Sequence, residues 1–579
     1  MVLTGANAVA APAKVPEAIG YGGAVASIDQ DATAIGISVL RHGGNAVDAA
    51  VATAAALGVT DPFSNGVGGG GFFVFYEART GKVYTLDGRE TAPATADEKY
   101  FQENGVPLPF ADAVTSGLSV GVPGTPKTWQ TALQKWGRLS LKEAMKPAEQ
   151  LARKGFTVDQ TFQTQISNNI ARFSAFPSTR ELYLPGGKPP AVGSTFRNPD
   201  LANTYRELAD TNLRSLYNGA IGREIVKTVQ QPPKDPASPL NVRPGRLTLQ
   251  DLSRYQAIPR DPSKASYRGL DVYSMAPPSS GGTTVGEALN ILETKDVRKL
   301  SQVDYLHNFL ESTRISFADR NRWVGDPDVQ AVPTKQLLSQ KFANSRACLI
   351  DPNKALTSPV APGDPYNPKP CATTGPGGTI LNDGMSTTHL TTADAWGNVV
   401  SYTLTIEQEG GNGMVVPGRG FLLNNELTDF NFAPLFPGVP DPNLPGAGKR
   451  PRSSMAPTIV LRNGKPFFAT GSPGGASIIT TTLQVILGRI DRGFSLVQAI
   501  AQPRASQRNS ALAQVEPAFL ALPEADVLAK QYGQGFNAAA AAEIGAATGV
   551  ERLPDGRWIA AAEPVRRGGG SAAVVFPAR

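Results

Sequence analysis

Gly384-Met385-Ser386-Thr387-Thr388-His389-Leu390 decides how this chain reads. Thr387–Ala393 and Val399–Glu407 alternate in polarity around the turn Asp394-Ala-Trp-Gly-Asn398, which predicts an antiparallel β-hairpin headed by Thr387. A peptide bond broken just before Thr387 would leave one residue with both a hydroxyl nucleophile and a free α-amine. An α-amine titrates near pH 8 and can take the proton of its own hydroxyl, so this chemistry needs no histidine. The chain has three: His42 and His307 in predicted helices and His389 two residues past Thr387. A Ser–His–Asp arrangement is arithmetically possible, but no nucleophile-elbow sequence accompanies it.

On the partner strand, period-two alternation places Thr403, Thr405 and Glu407 on one face, within reach of Thr387. Thr405 can donate to or accept from the nucleophile's hydroxyl. Further on stand Arg450-Pro451-Arg452-Ser453-Ser454 and Gly471-Ser472-Pro473-Gly474-Gly475. Gly474 and Gly475 precede a predicted helix, Ala476–Leu487, and their N–H groups suit an oxyanion, with the helix dipole assisting. Pro457–Arg462 and Lys465–Thr470 flank Asn463-Gly464, a strong hairpin signal, and a last hairpin turns at Pro554-Asp555-Gly556.

Ahead of Thr387 the texture differs. Gly23–Ala26 predicts a strand, followed by helices Asp29–Arg41 and Ala46–Leu57, the second capped by Asn45. Gly66-Val67-Gly68-Gly69-Gly70-Gly71 fits neither a P-loop nor a GxGxxG helix start, and reads as close backbone packing between layers. Phe72–Tyr76 and Val83–Leu86 form a predicted hairpin around Thr80-Gly81, and Arg89 follows it. Residues 120–350 read as mainly helical, with Pro-rich breaks at 184–200 and 232–245. Blocks of strands and helices in this order suggest stacked sheets covered by helices, an α+β architecture.

Composition narrows the function. The 579 residues carry 41% apolar and 18% charged side chains and a formal net charge of +6, as in a globular protein. The basic residues are interspersed with acids and lack the aromatic interleaving of a nucleic-acid groove. No run of ~18 apolar residues suggests a membrane span. No ligand cluster at metal spacing stands out, so neither metal nor organic cofactor is expected. Cys348 and Cys371, the only cysteines, flank a Pro-rich loop. In a reducing compartment they would be free thiols. As a lone pair around a loop they favour a disulfide, and hence export to the periplasm or beyond. Residues 1–19 read as a tail with small residues resembling a signal cleavage region, but without a charged and apolar lead, so a signal is either absent or removed.

From about Gly22 to the end, the chain resembles the γ-glutamyltranspeptidase family of N-terminal-nucleophile hydrolases. The resemblance rests on Arg41-His42-Gly43-Gly44-Asn45-Ala46-Val47-Asp48-Ala49-Ala50, Arg89-Glu90-Thr91-Ala92-Pro93, Thr387-Thr388-His389, Leu422-Leu423-Asn424-Asn425-Glu426, Asp429-Phe430, Arg450-Pro451 with Ser453-Ser454-Met455, and Gly471-Ser472-Pro473-Gly474-Gly475. It implies a four-layer αββα sandwich, cut between Ser386 and Thr387 into a large subunit (20–386) and a small one (387–579) that stay paired. It implies that Thr387 is both self-processing residue and acyl-accepting nucleophile. Arg89 would pair with the substrate α-carboxylate, helped by Ser453 and Ser454, while Glu426 and Asp429 hold the α-ammonium. Gly474 and Gly475 would donate to the oxyanion. The implied reaction is hydrolysis or transfer of γ-glutamyl groups from glutathione and related amides, with water, an amino acid or a peptide as acceptor.

Two departures stand out. Glu407 occupies the position of a family asparagine, and Asn431–Lys449 is shorter than the lid of well-known bacterial members and lacks its tyrosine, Phe436 being its only aromatic beyond Phe432. A reduced lid favours hydrolysis over transfer. One alternative is a cephalosporin or glutaryl acylase on the same scaffold, whose substrates lack the ammonium that Glu407, Glu426 and Asp429 would bind. Another is a catalytically silent binding protein, which the intact Thr387 and glycine pair oppose.

Overall fold

The computed structural model describes residues 14–378, 386–436, 438–537 and 543–578. Thirteen strands join in one continuous hydrogen-bonded sheet. In chain order they are β1 (Glu17–Ser27), β2 (Gly70–Glu77), β3 (Lys82–Gly88), β4 (Ile258–Arg260), β5 (Ser263–Tyr267), β6 (Leu270–Ser274), β7 (Thr388–Asp394), β8 (Val399–Thr405), β9 (Thr458–Arg462), β10 (Lys465–Gly471), β11 (Thr548–Arg552), β12 (Trp558–Ala562) and β13 (Ser571–Pro577). Their spatial order is β4-β3-β2-β8-β7-β1-β12-β11-β10-β9-β6-β5, with β13 also on β1.

β1 is the hinge of this arrangement. Its first half, Glu17–Gly20, pairs with β12, and its second half, Gly23–Ala26, pairs with β7. The neighbours diverge there and the sheet doubles over, so that β7 and β8 stack on β10 and β11. Polar groups stitch the two layers. Ser401 Oγ donates to the Thr470 carbonyl at 3.1 Å and accepts from Thr458 N at 3.1 Å.

Helices cover both outer faces. α1 (Gln30–Arg41) and α2 (Ala46–Thr60) lie on β1, β7, β8 and β13, and α3 (Thr125–Trp136) lies on β2 and β3. On the far side, α4 (Gly281–Glu293) packs on β5 and on α5 (Gln302–Trp323). α6 (Ser477–Ile490) packs on β10, and α7 (Leu496–Ala501) on β11 and β12. The result is an αββα sandwich with one large core on each side. Ala50, Val51, Leu57, Phe73, Leu390 and Leu404 fill one, and Phe72, Leu289, Phe309, Phe468 and Leu483 fill the other. Each fully buried Val, Leu or Phe among them contributes roughly 1.5–3 kcal/mol relative to exposure.

Local chemistry explains the elements. Asn45 and Asp48 form a reciprocal capping box at the start of α2. That helix is buried along its whole length, so it carries no polar stripe and runs on to Thr60, three residues past the expected end. The glycine run behaves as packing: a Cβ on Gly69 would stand 2.1 Å from the Thr405 carbonyl oxygen, and one on Gly71 2.4 Å from that of Thr403. Both β2 and the end of β8 depend on that absence of side chains.

Three expectations are corrected. β1 starts at Glu17, inside the expected tail, because its first residues find β12; residues 1–13 lie outside the described residues. The region 120–350 also holds β4, β5 and β6, which close one end of the path beside β3 and the other beside β9. Finally, β8 ends at Thr405, and Glu407 has φ 79°, so strand alternation does not reach it. Cys348 and Cys371 form a disulfide with Cα atoms 5.6 Å apart. No helix among the described residues is long and apolar enough to cross a membrane.

Candidate active site

The β7–β8 register pairs His389 with Thr403 and Thr388 with Leu404. One step further, just outside the ladder, Thr387 and Thr405 face each other. The Thr387 hydroxyl lies against the Ser386 carbonyl oxygen and 3.2 Å from Thr405 Oγ1. Thr405 Oγ1 accepts from Glu407 N at 2.8 Å and reaches the Ser386 carbonyl at 3.4 Å. Arg567 Nη1 donates to the Thr387 carbonyl at 2.8 Å. The hydroxyl of the nucleophile candidate and the carbonyls on both sides of it are thereby held while the chain is continuous.

His389 is no base for it. The ring is buried between the stacked sheets, with Nδ1 2.8 Å from Thr403 Oγ1, and burial pulls its pKa down to about 3.

One pocket gathers Arg89, Ser386, Thr387, Thr405, Glu407, Glu426, Asp429, Ser453, Ser454 and Gly475, residues spread over most of the chain. Arg89 follows β3 and is fully buried. Its Nε donates to the Pro451 carbonyl and Nη2 to that of Arg452, both at 3.1 Å. Its fork also grips Glu426 through Nη1 and Asp429 through Nη2. Burial alone would lower the guanidinium pKa, but Glu426 and Asp429 outweigh it and raise it. The groups assigned from sequence to the two ends of one ligand thus pair with each other.

Further acids crowd this ion pair. Glu90 Oε2 is 4.0 Å from Arg89 Nη1, and its carboxyl is fully buried. Glu407 accepts from Asn425 Nδ2 through one oxygen, and its other, Oε1, is buried without a partner. Burial first, then the charges of Asp429 and Glu426, raise Glu407 well above the usual carboxylate range. Burial also lifts Glu426 to about 7, against the pull of Arg89.

Ser454 Oγ accepts from Arg320 Nη2 at 2.7 Å, and Ser453 Oγ from Met455 N at 3.1 Å. Arg320 lines the pocket, also donates to Ser280 Oγ at 2.8 Å, and was not picked out from the sequence. It sits in the interior of α5, where nothing local separates it from a structural arginine. Arg567, in a C-terminal loop, was missed for the same reason.

Gly475 borders the pocket, whereas Gly474 borders a neighbouring cavity with Glu409, Ser477 and Arg567. Both glycines have positive φ, 128° and 56°, and α6 begins two residues after them. A Cβ on Gly474 would stand 2.6 Å from Ser477 Oγ, so only glycine gives this turn.

Comparison with known proteins places these features among relatives. The family model for gamma-glutamyltranspeptidase matches residues 32–573. The glutathione hydrolase proenzyme of Bacillus subtilis (strain 168) is 38% identical over 525 residues, covering 89% of this chain and 85% of that protein. The acylase ACY 1 proenzyme of Pseudomonas sp. (strain V22) is 34% identical over 572 residues, covering 96% of this chain and 95% of that one. The crystal structure of a cephalosporin acylase from Bacillus halodurans superimposes with a TM-score of 0.82 at 28% identity, over 99% of both chains.

Proposed function

The chain belongs to the gamma-glutamyltranspeptidase family, and on that premise we propose that it hydrolyses and transfers γ-glutamyl groups through an acyl ester on Thr387. The observation that carries this reading is the Thr387 hydroxyl, lodged between the Ser386 carbonyl and Thr405 in a pocket that also holds Arg89, Glu426 and Asp429.

In the continuous chain, the Thr387 hydroxyl attacks the Ser386 carbonyl carbon. The C–N bond breaks, the Thr387 nitrogen takes a proton, and water hydrolyses the resulting ester. The products are residues 20–386, with the segment ahead of them, and residues 387–579. They stay together because β7 of the second piece lies between β1 of the first and β8, and β8 in turn pairs with β2.

In the cleaved form, the Thr387 α-amine accepts the hydroxyl proton as oxygen attacks the γ-carbonyl of glutathione or a related amide. The N–H groups of Gly474 and Gly475 serve the oxyanion. The amine then returns the proton to the leaving nitrogen, and water or an amino-acid or peptide amine takes the acyl group. Arg89, with Ser453 and Ser454, receives the donor's α-carboxylate, because a guanidinium fork matches a carboxylate. Glu426 and Asp429 receive its ammonium. Binding thus exchanges the internal ion pairs for equivalent ones with the ligand, limiting the cost of burying its charges. The disulfide supports an exported protein.

A second reading, removal of glutaryl-type side chains from cephalosporins, is favoured by the close superposition with the cephalosporin acylase. Glu407, Glu426 and Asp429, whose charges act on one another in the pocket, favour a donor that brings an ammonium. Side-by-side assay of γ-glutamyl-p-nitroanilide and its glutaryl analogue separates the two. The γ-glutamyl compound is expected to turn over at least ten-fold faster, with Thr387→Ala inactive on both; the reverse order replaces the first reading by the second.

A further inference from the structure

The residue on the other side of the scissile bond is anchored by a chain of hydroxyls that ends on a buried acid. Ser386 Oγ lies 3.0 Å from Ser64 Oγ and 3.1 Å from the Phe63 carbonyl oxygen. Ser64 Oγ donates to Asp61 Oδ1 at 2.8 Å. Asp61 Oδ2 is buried without a hydrogen-bond partner.

These groups belong to the turn Asp61-Pro62-Phe63-Ser64-Asn65, directly after α2, and that turn is stiff. Asp61 N donates to the Leu57 carbonyl at 2.7 Å, Ser64 N to the Asp61 carbonyl at 3.2 Å, and Asn65 Nδ2 to the same oxygen at 3.0 Å. The Phe63 ring packs against Phe162, Phe173 and Tyr183, with centroids 5.1, 5.7 and 4.9 Å away. Its carbonyl also accepts from Gly410 N at 2.8 Å. A serine tied to such a support cannot swing its carbonyl away from the Thr387 hydroxyl.

We propose that Asp61 and Ser64 are positioning residues for self-cleavage: the chain Ser386 O–H to Ser64 O–H to the Asp61 carboxylate holds the Ser386 carbonyl in the path of the Thr387 oxygen. This rests on the self-cleavage reading above. No atom of Asp61 or Ser64 enters the bond changes. Their effect is to restrict the scissile peptide to the reactive geometry before reaction.

Protonation weakens the Asp61 carboxyl as an acceptor for Ser64, because hydrogen bonds to a charged oxygen are the stronger ones. Burial raises Asp61 to about 6, against the opposing pull of Arg567 and of the Ser64 and Thr388 hydroxyls, while Asp29 pushes it further up. Lys14, Asp29, Asp159 and Arg567 share its cleft. Asp29 is itself raised to about 6 by burial, so it titrates alongside. Cleavage should therefore slow as pH falls through about 6.

The test follows loss of the 60.9 kDa chain on denaturing gels after cell-free synthesis. Ser64→Ala and Ser386→Ala are each expected to slow cleavage about ten-fold, the loss when one restrained residue regains its backbone freedom. The double variant should be no slower than either single one, because both break the same chain. Ser64→Thr, which keeps the hydroxyl, should cleave within about three-fold of the parent, and Asp61→Asn should lose the fall in rate near pH 6. Ser64→Ala cleaving at the parental rate, or effects of Ser64→Ala and Ser386→Ala that multiply, overturns the proposal. A parent chain that never cleaves sinks the self-cleavage reading as well. A parent that cleaves, with an unaffected Ser64→Ala, sinks this inference alone.

Discussion

Thr387 and Thr405 face each other just beyond the last rung of the β7–β8 ladder, their hydroxyl oxygens 3.2 Å apart. Thr405 also accepts the Glu407 N–H at 2.8 Å, which fixes its rotamer. Thr405→Ala should therefore slow both chain cleavage and γ-glutamyl turnover by about 10- to 100-fold, the value of one buried hydrogen bond at a nucleophile. Thr405→Ser should restore most of each rate. Gel time courses and initial rates decide it; parental rates for the alanine variant would show that Thr405 only packs.

Arg89 pairs with both Glu426 and Asp429. Arg89→Ala leaves a buried acid uncompensated, which costs about 3–5 kcal/mol, less here because the Asp429 side chain is 24% exposed. KM for a γ-glutamyl donor should rise far more than self-cleavage slows, since cleavage involves no substrate carboxylate. Melting curves and KM measured together check this. Equal losses in KM and in cleavage would refute the assigned role.

Burial and the acidic neighbours Asp429 and Glu426 raise Glu407 well above the ordinary carboxylate range. At pH 7, Glu407→Gln should shift donor KM by less than about three-fold, whereas Asp429→Asn should raise it more than about ten-fold, the value of a hydrogen bond to a charged group. Equal damage from both would mean that Glu407 is ionised in the donor complex.

His389 is neutral in the fold, its pKa lowered by burial from 6.5 to about 3. The unfolded chain takes up a proton below pH 6.5 that the folded chain refuses until about pH 3. The stabilisation is therefore complete above pH 6.5 and lost as pH falls towards 3, on the order of 4 kcal/mol in all. His389→Gln should flatten this part of the stability profile. Equal slopes for parent and variant between pH 4 and 7 would count against a buried neutral ring.

The Cys348–Cys371 disulfide spans a sequence separation of 23 residues. Replacing both cysteines by serine should lower stability by about 3 kcal/mol on the chain-entropy model while leaving the pocket residues in place. Denaturant midpoints with and without reductant test it; no difference would show that the loop is held by its other contacts.

The part of the site legible in the sequence lies at the ends of strands and starts of helices. Thr387 heads a period-two run, Arg89 follows a hairpin, and Gly475 precedes a helix, so each carries a local signal. Glu407 lines the pocket, but strand alternation does not bring it there: the strand ends at Thr405 and the backbone turns left-handed at Glu407. Arg320 was invisible, because an arginine inside a long helix is marked only by what the fold brings opposite it, here Ser454. Strands β5 and β6 were hidden although Ser263–Ser274 alternates around Arg268-Gly269, both at positive φ. Helical patterns on either side dominated that stretch. Ser64 stood beside a glycine run whose packing role explained the segment without it.

Intact mass and N-terminal sequencing of fully active protein test the central claim most directly. Two species are expected, the smaller beginning at Thr387, with Thr387→Ala remaining one chain of 60.9 kDa. Fully active material made of a single uncut chain would contradict it.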